Sequence, residues 1–141
     1  MSDDVDLAGV FRVMPDNVAP LWPQLAALFK PALAMVSTHD IEDVRRSILA
    51  LRAQLWVQMV NDVVVSAATT EFVDYPKGLF VRVWMVGAVP DRKLDIDSFV
   101  ETLNHWRMIN KCVGFEWIGR HGWLRHFPEA RAEGLLMRWI P

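Results

Sequence analysis

Leu79-Phe-Val-Arg-Val-Trp-Met-Val86, Gly87-Ala-Val-Pro-Asp-Arg-Lys-Leu94, Ser98 to Asn110 and Val113-Gly-Phe-Glu-Trp-Ile118 decide the fold, with Gly119-Arg-His-Gly-Trp123 as the turn that comes after them. The first octet is an apolar run of strand length, interrupted only by Arg82. Arg82 therefore either faces outward or neutralises a buried acid. Ser98 with Glu101 three residues later forms a capping-box pattern. Phe99, Leu103, Trp106 and Ile109 or Asn110 then repeat at helical spacing. Val113–Ile118 is short, apolar and preceded by a helix, so it reads as a strand parallel to the first. The two strands and the helix make one βαβ crossover.

Working upstream, Gly9-Val-Phe-Arg-Val-Met14 alternates like a short strand and Pro15-Asp-Asn17 closes it. A helix is expected from near Asn17, with Leu21, Leu25, Leu28 and Phe29 on its buried face and Pro31 kinking or ending it. Asp40 and Asp43 suit the positive end of a second helix. Its buried stripe would be Ile41, Val44, Ile48 and Leu51, and its solvated face Glu42, Arg45, Arg46 and Arg52. Gln54–Val60 and Val63–Val73 flank Asn61-Asp62, a hairpin signal. A turn at Tyr75-Pro-Lys-Gly78 leads into Leu79–Val86, so these three strands form an antiparallel meander. Downstream of Gly119–Phe127, a turn that becomes a short helix, Gly134–Ile140 reads as the last strand. The expectation is one α/β (α+β) domain over residues 1–141, with a mixed sheet, an antiparallel meander plus one crossover, and the order β-α-α-β-β-β-α-β-α-β.

Composition narrows the function classes. At 141 residues and 52% hydrophobic content the chain can bury a real core. A net charge of -2 gives no overall drive towards nucleic acid or an anionic membrane. No apolar run approaches the roughly 20 residues needed to span a bilayer, and the acidic start, Met-Ser-Asp-Asp-Val-Asp, is unlike a secretory signal. Cys112 is the only cysteine, so no intramolecular disulfide or multi-cysteine zinc site can form. It reads as a buried, inert thiol. The four histidines lack the partners of a closed zinc site, and no metal is expected. Neither a Gly-x-Ser-x-Gly elbow nor a P-loop is present. Seven Trp against one Tyr point to large core anchors, with one or two left for a groove or a partner surface.

The order of elements resembles the GNAT acyltransferase fold along nearly the whole chain. The Leu55-Trp56 strand entry, the Val83-Trp-Met-Val-Gly87 strand end and the Gly119–Trp123 turn resemble small GNAT-like proteins encoded by tailed bacteriophages. In active enzymes of that family, the loop between the crossover strand and helix is Arg/Gln-x-x-Gly-x-Gly/Ala, and its bare N–H groups hold the acyl-CoA pyrophosphate. The stretch Gly87–Leu94 departs from that pattern. It offers one glycine, then Ala88, Val89 and Pro90, and Pro90 has no donor. Asp91, Asp95 and Asp97 would repel phosphate, only partly offset by Arg92 and Lys93. If a cofactor binds, the candidates to hold it are Val86, Gly87, Arg92 and Lys93.

Catalytic groups are also sparse. The tyrosine that the family carries on the helix after the crossover strand is replaced by a stretch with Trp123, His126 and Phe127. Glu71 and Glu116 are the candidate bases, although a carboxylate on a strand is more often an ion-pair partner. Arg120, His121, Trp123, Arg125 and His126 form the densest basic and aromatic stretch, a candidate partner-binding surface. The resemblance therefore implies a phage-type GNAT-fold protein of host cytoplasm or virion that acts by binding protein, as an assembly component or by self-association, with no cofactor. The alternative is an active N-acyltransferase that moves an acetyl or acyl group from acyl-CoA to an amine through a divergent loop.

Overall fold

A computed structural model describes residues 9–119, 123–134 and 136–141. Its elements are β1 (Val10–Val13), α1 (Trp22–Leu33), α2 (Ile41–Leu49), β2 (Gln54–Val60), β3 (Val63–Tyr75), β4 (Gly78–Ala88), α3 (Ile96–Ile109), β5 (Gly114–Trp117) and α4 (Trp123–His126). The sheet runs β1-β2-β3-β4-β5, antiparallel through β4, with β5 parallel to β4. The mixed α/β class, the meander and the crossover stand as the sequence implies. No helix among the described residues is long and apolar enough to cross a membrane.

Local chemistry explains most boundaries. Asn61 and Asp62 both adopt positive φ, 50° and 65°, which Asn and Asp tolerate and a tight hairpin turn requires. At α2, Asp40 and Asp43 each accept the other's backbone N–H at 2.9 Å, a reciprocal cap. The first helix starts later than expected. Two 3₁₀ turns, Pro15–Asn17 and Ala19–Leu21, precede it, and α1 begins only at Trp22. Pro31 does not end it. Lying in the last turn, Pro31 removes one ladder bond while Leu25, Leu28 and Phe29 hold the helix to the sheet, and α1 runs on to Leu33.

The two faces of the sheet carry separate cores. On one, α1 and α2 bury Leu25, Phe29, Val44 and Ile48 against Leu55, Val57, Ala67 and Met85. On the other, α3 lays Phe99 and Leu103 over Val10, Trp56 and Ala68. Leu51 does not join the stripe of α2. The helix has ended at Leu49, and Leu51 turns out with φ 62° and 57% exposure.

Two further corrections bear on the site. Ser98 does not cap α3; the cap is Asp95, whose carboxylate accepts the Ser98 N–H at 3.2 Å and the Ser98 hydroxyl at 2.7 Å. Gly134–Ile140 is not a strand: its described residues join no ladder, and Met137 and Trp139 are 81% and 88% exposed. Strand propensity alone does not order a segment that has no neighbour to pair and pack with.

Candidate functional site

The crossover places two features side by side, the end of β4 with its loop into α3 and a charged row across β3, β4 and β5. The β4 strand carries a bulge at Trp84: Thr69 pairs with Met85 while Thr70 pairs with Val83. Fully buried Thr69 satisfies the kink by accepting the Met85 N–H on Oγ1 at 3.0 Å. Trp84 packs edge-on against His39, with ring centres 4.9 Å apart. The ladder between β4 and β5 stops at Val83 and Trp117, whereas β4 continues to Ala88. Among the described residues, Trp84–Ala88 have no strand partner on the β5 side.

Several main-chain donors beyond the end of that ladder are engaged within the chain. Gly87, a candidate cofactor residue, owes its missing side chain to packing. A Cβ there would stand 2.2 Å from the Leu28 carbonyl oxygen. Val86 faces the α3 side and packs with the second core. The Val89 N–H donates to the Val65 carbonyl at 2.9 Å, the Arg92 N–H to the Val89 carbonyl at 3.2 Å, and Pro90 has none to give. At the helix start, the Ile96 N–H donates to the Leu94 carbonyl and the Ser98 N–H to Asp95. Asp95 also accepts from Gln58 Nε2 at 3.1 Å. The Ser98 hydroxyl, Gln58 and the Ser98 N–H together hold the Asp95 carboxyl below the ordinary aspartate range. Lys93 is exposed and Arg92 half-buried.

The charged row gathers both candidate bases around Arg82. Glu71, Arg82 and Glu116 stand in register on neighbouring strands and so share one face. Arg82 Nε donates to Glu116 Oε1 at 2.8 Å, and Arg82 Nη1 donates to Glu71 Oε1 at 3.1 Å. Burial opposes the guanidinium charge, but the bonds to Glu116 and Glu71 outweigh it and raise its pKa. The sequence reading missed Tyr75, whose hydroxyl lies 3.0 and 2.9 Å from the two Glu116 oxygens. Its signal was the alternation Glu71, Val73, Tyr75, which puts all three on one face of β3. Tyr75, Arg82, Glu116, Trp117 and Ile118 line a hollow of about 140 Å³ at the edge of the sheet.

The remaining candidates separate. Arg120 and His121 lie outside the described residues. Trp123 is half-buried, stacked on Phe127 and in contact range of the Gly119 backbone, while Arg125 and His126 are exposed. Cys112 is buried, and burial raises its thiol pKa, which disfavours the thiolate.

No protein-family model and no curated protein sequence matches the chain. Solved structures do. An aminoglycoside acetyltransferase from an uncultured soil metagenomic sample, in complex with sisomicin, superposes with a TM-score of 0.75 at 11% identity over 99% of each chain. A predicted acetyltransferase with acetyl-CoA from Clostridium acetobutylicum gives 0.68 at 9% identity, covering 92% of this chain and 94% of the other. A ribosomal-protein-alanine N-acetyltransferase from Brucella melitensis biovar Abortus 2308 gives 0.67 at 12% identity, covering 94% and 98%. Likeness at this level of identity establishes architecture, and the chain has the GNAT acetyltransferase fold.

Proposed function

We propose that this chain keeps the acyltransferase scaffold but works by binding protein, without acyl-CoA chemistry. The observation that carries the reading is the commitment of the Val89, Arg92, Ile96 and Ser98 N–H groups to partners within the chain, beside a proline and a capping carboxylate. A pyrophosphate needs several main-chain donors pointing at it and no fixed negative charge in the way. Both candidate bases are likewise engaged, Glu116 by Arg82 and Tyr75 and Glu71 by Arg82. The exposed apolar side chains of the C-terminal segment support a protein-binding role. The finer reading, a virion or assembly component of a tailed bacteriophage, draws on the sequence resemblance at Leu55-Trp56, Val83–Gly87 and the Gly119–Trp123 turn.

The test is thermal melting with and without acetyl-CoA. A site occupied at 100 times its Kd stabilises the fold by about 2.7 kcal/mol. The proposal expects no shift, and a saturable shift overturns it. One observation favours the alternative, an active N-acyltransferase using Glu71 or Glu116 as base: the β4–β5 ladder stops at Val83 and Trp117, short of the end of β4, so the two strands are not held together by ladder bonds beside the loop into α3. Release of coenzyme A from acetyl-CoA in the presence of an amine would establish it.

A further inference from the structure

Trp56 of β2 and Trp106 of α3 meet edge-on with ring centres 5.4 Å apart, yet only one of the two indoles is satisfied. Trp56 donates its N–H to Thr70 Oγ1 at 2.8 Å. The Trp106 N–H is buried and meets no acceptor among the described residues. A second orphan lies against the same ring. Arg12 sets its guanidinium carbon 5.1 Å from the centre of the Trp106 ring, and its Nε is also buried without a partner. Buried donors are rarely left unsatisfied, so two of them at one contact point to an acceptor that the chain does not supply.

Sheet register and helix packing put the two donors together. Val10 and Arg12 share the α3 face of β1, where Val10 joins the second core and Arg12 stands opposite Trp56. One turn before Trp106, the Thr102 hydroxyl reaches the Val10 carbonyl at 3.5 Å and brings α3 alongside β1. Phe72 of β3 completes the cluster, stacked on Trp106 with ring centres 5.8 Å apart. Charge is also left open here. Arg82 has two glutamates, whereas Arg12 makes no ion pair among the described residues. Asp95, the cap of the helix that packs on this face, is committed to Ser98 and Gln58.

We infer that Arg12 and Trp106 form a binding site for a carboxylate, whose oxygens accept from Arg12 Nε and Trp106 Nε1. A neutral acceptor would satisfy both N–H groups but would leave the half-buried guanidinium without a counter-charge. A guanidinium lying over an aromatic ring keeps its in-plane fork of donors open, and that fork matches a planar carboxylate. The three aromatic rings favour a singly charged group on an apolar stem over a phosphate, whose second charge needs more donors or water. Such a group is carried by a free organic acid or by an acidic side chain of a protein.

The test follows the Trp106 Nε1–H and Arg12 Nε–H resonances by NMR while sodium phenylacetate is added at neutral pH and constant ionic strength. Both should move together along one saturable curve. Arg12→Lys keeps the charge but loses the fork, and Trp106→Phe keeps the ring but loses the donor. Each should weaken binding about tenfold, read from the donor that remains. The capped dipeptide acetyl-Phe-Glu-amide separates the two sources: tighter binding than phenylacetate assigns a protein side chain, and weaker binding assigns a free acid. No saturable movement, undiminished movement in Arg12→Lys, or an equal response to inorganic phosphate overturns the inference. Trp106 lies ten residues beyond Ile96, about 15 Å along α3 from the loop that precedes it, so these resonances and the acetyl-CoA melting test read different sites.

Discussion

Gly87 of β4 lies against the backbone carbonyl of Leu28 in α1, so closely that a Cβ at residue 87 would stand 2.2 Å from that oxygen. The contact is with main chain rather than with the end of a flexible side chain, so α1 as a whole would have to move. Gly87→Ala should therefore destabilise the fold by about 2–3 kcal/mol, the upper part of the range for overpacking. Urea denaturation measures it. A neutral substitution would show that α1 is free to shift and that Gly87 is kept for another reason.

Asp95 gives a second, milder case. Its carboxylate caps α3 through Ser98 and ties the helix start to Gln58 of β2. Asp95→Ala should cost about 1 kcal/mol, and Asp95→Asn much less, because an amide oxygen can still accept the Ser98 N–H. Equal losses in the two variants would mean that charge, not capping, sets the contribution.

Two carboxylates, Asp95 and Asp43, are held below the ordinary aspartate range. Asp95 is lowered mainly by the Ser98 hydroxyl, and Asp43 mainly by the Asp40 N–H. A group whose pKa is depressed on folding stabilises the protein fully above its unfolded value and loses that contribution as pH falls through its folded value. Stability should therefore hold as pH falls towards the ordinary aspartate value of 3.8 and decline below it. Asp95→Asn should flatten that decline in melting curves taken against pH; an unchanged slope would contradict the assignment.

Across the charged row, the two glutamates should not be equivalent. Glu116 accepts from Arg82 and Tyr75, whereas Glu71 meets only one arm of Arg82. The side chains are 29% to 38% exposed, so solvent discounts each pair. Glu116→Gln should cost about 1 kcal/mol and Glu71→Gln a few tenths. The reverse order in denaturation midpoints would mean that the Tyr75 bond contributes nothing.

Sequence alone carried the parts of the fold that short-range chemistry controls. Asn61-Asp62 reads as a hairpin because few residue types accept positive φ, and Asp40 with Asp43 reads as a cap because both partners lie within one turn. The βαβ crossover was legible from length and apolar patterning around α3. Long-range contacts decided the rest. Ser98 and Glu101 look like a cap, but Asp95 takes that role while also held by Gln58, 37 residues away. Tyr75 looks like a turn residue until the register brings Glu116 beside it, across 41 residues. Leu136–Ile140 has a strand's residues but joins no ladder among the described residues. The loop Gly87–Leu94 read as a poor phosphate cradle because of Pro90 and its acids; that the Val89 and Arg92 N–H groups, and that of Ser98 at the helix start, are also taken internally emerges only from the hydrogen bonds to Val65, Val89 and Asp95.

Amide resonances of residues 87–99, tracked by NMR during titration with coenzyme A, test the central claim most directly. With their donors engaged inside the chain, the Val89, Arg92, Ile96 and Ser98 resonances should stay in place up to millimolar ligand. Saturable shifts confined to those amides would show a diphosphate seated on the loop and would contradict the account.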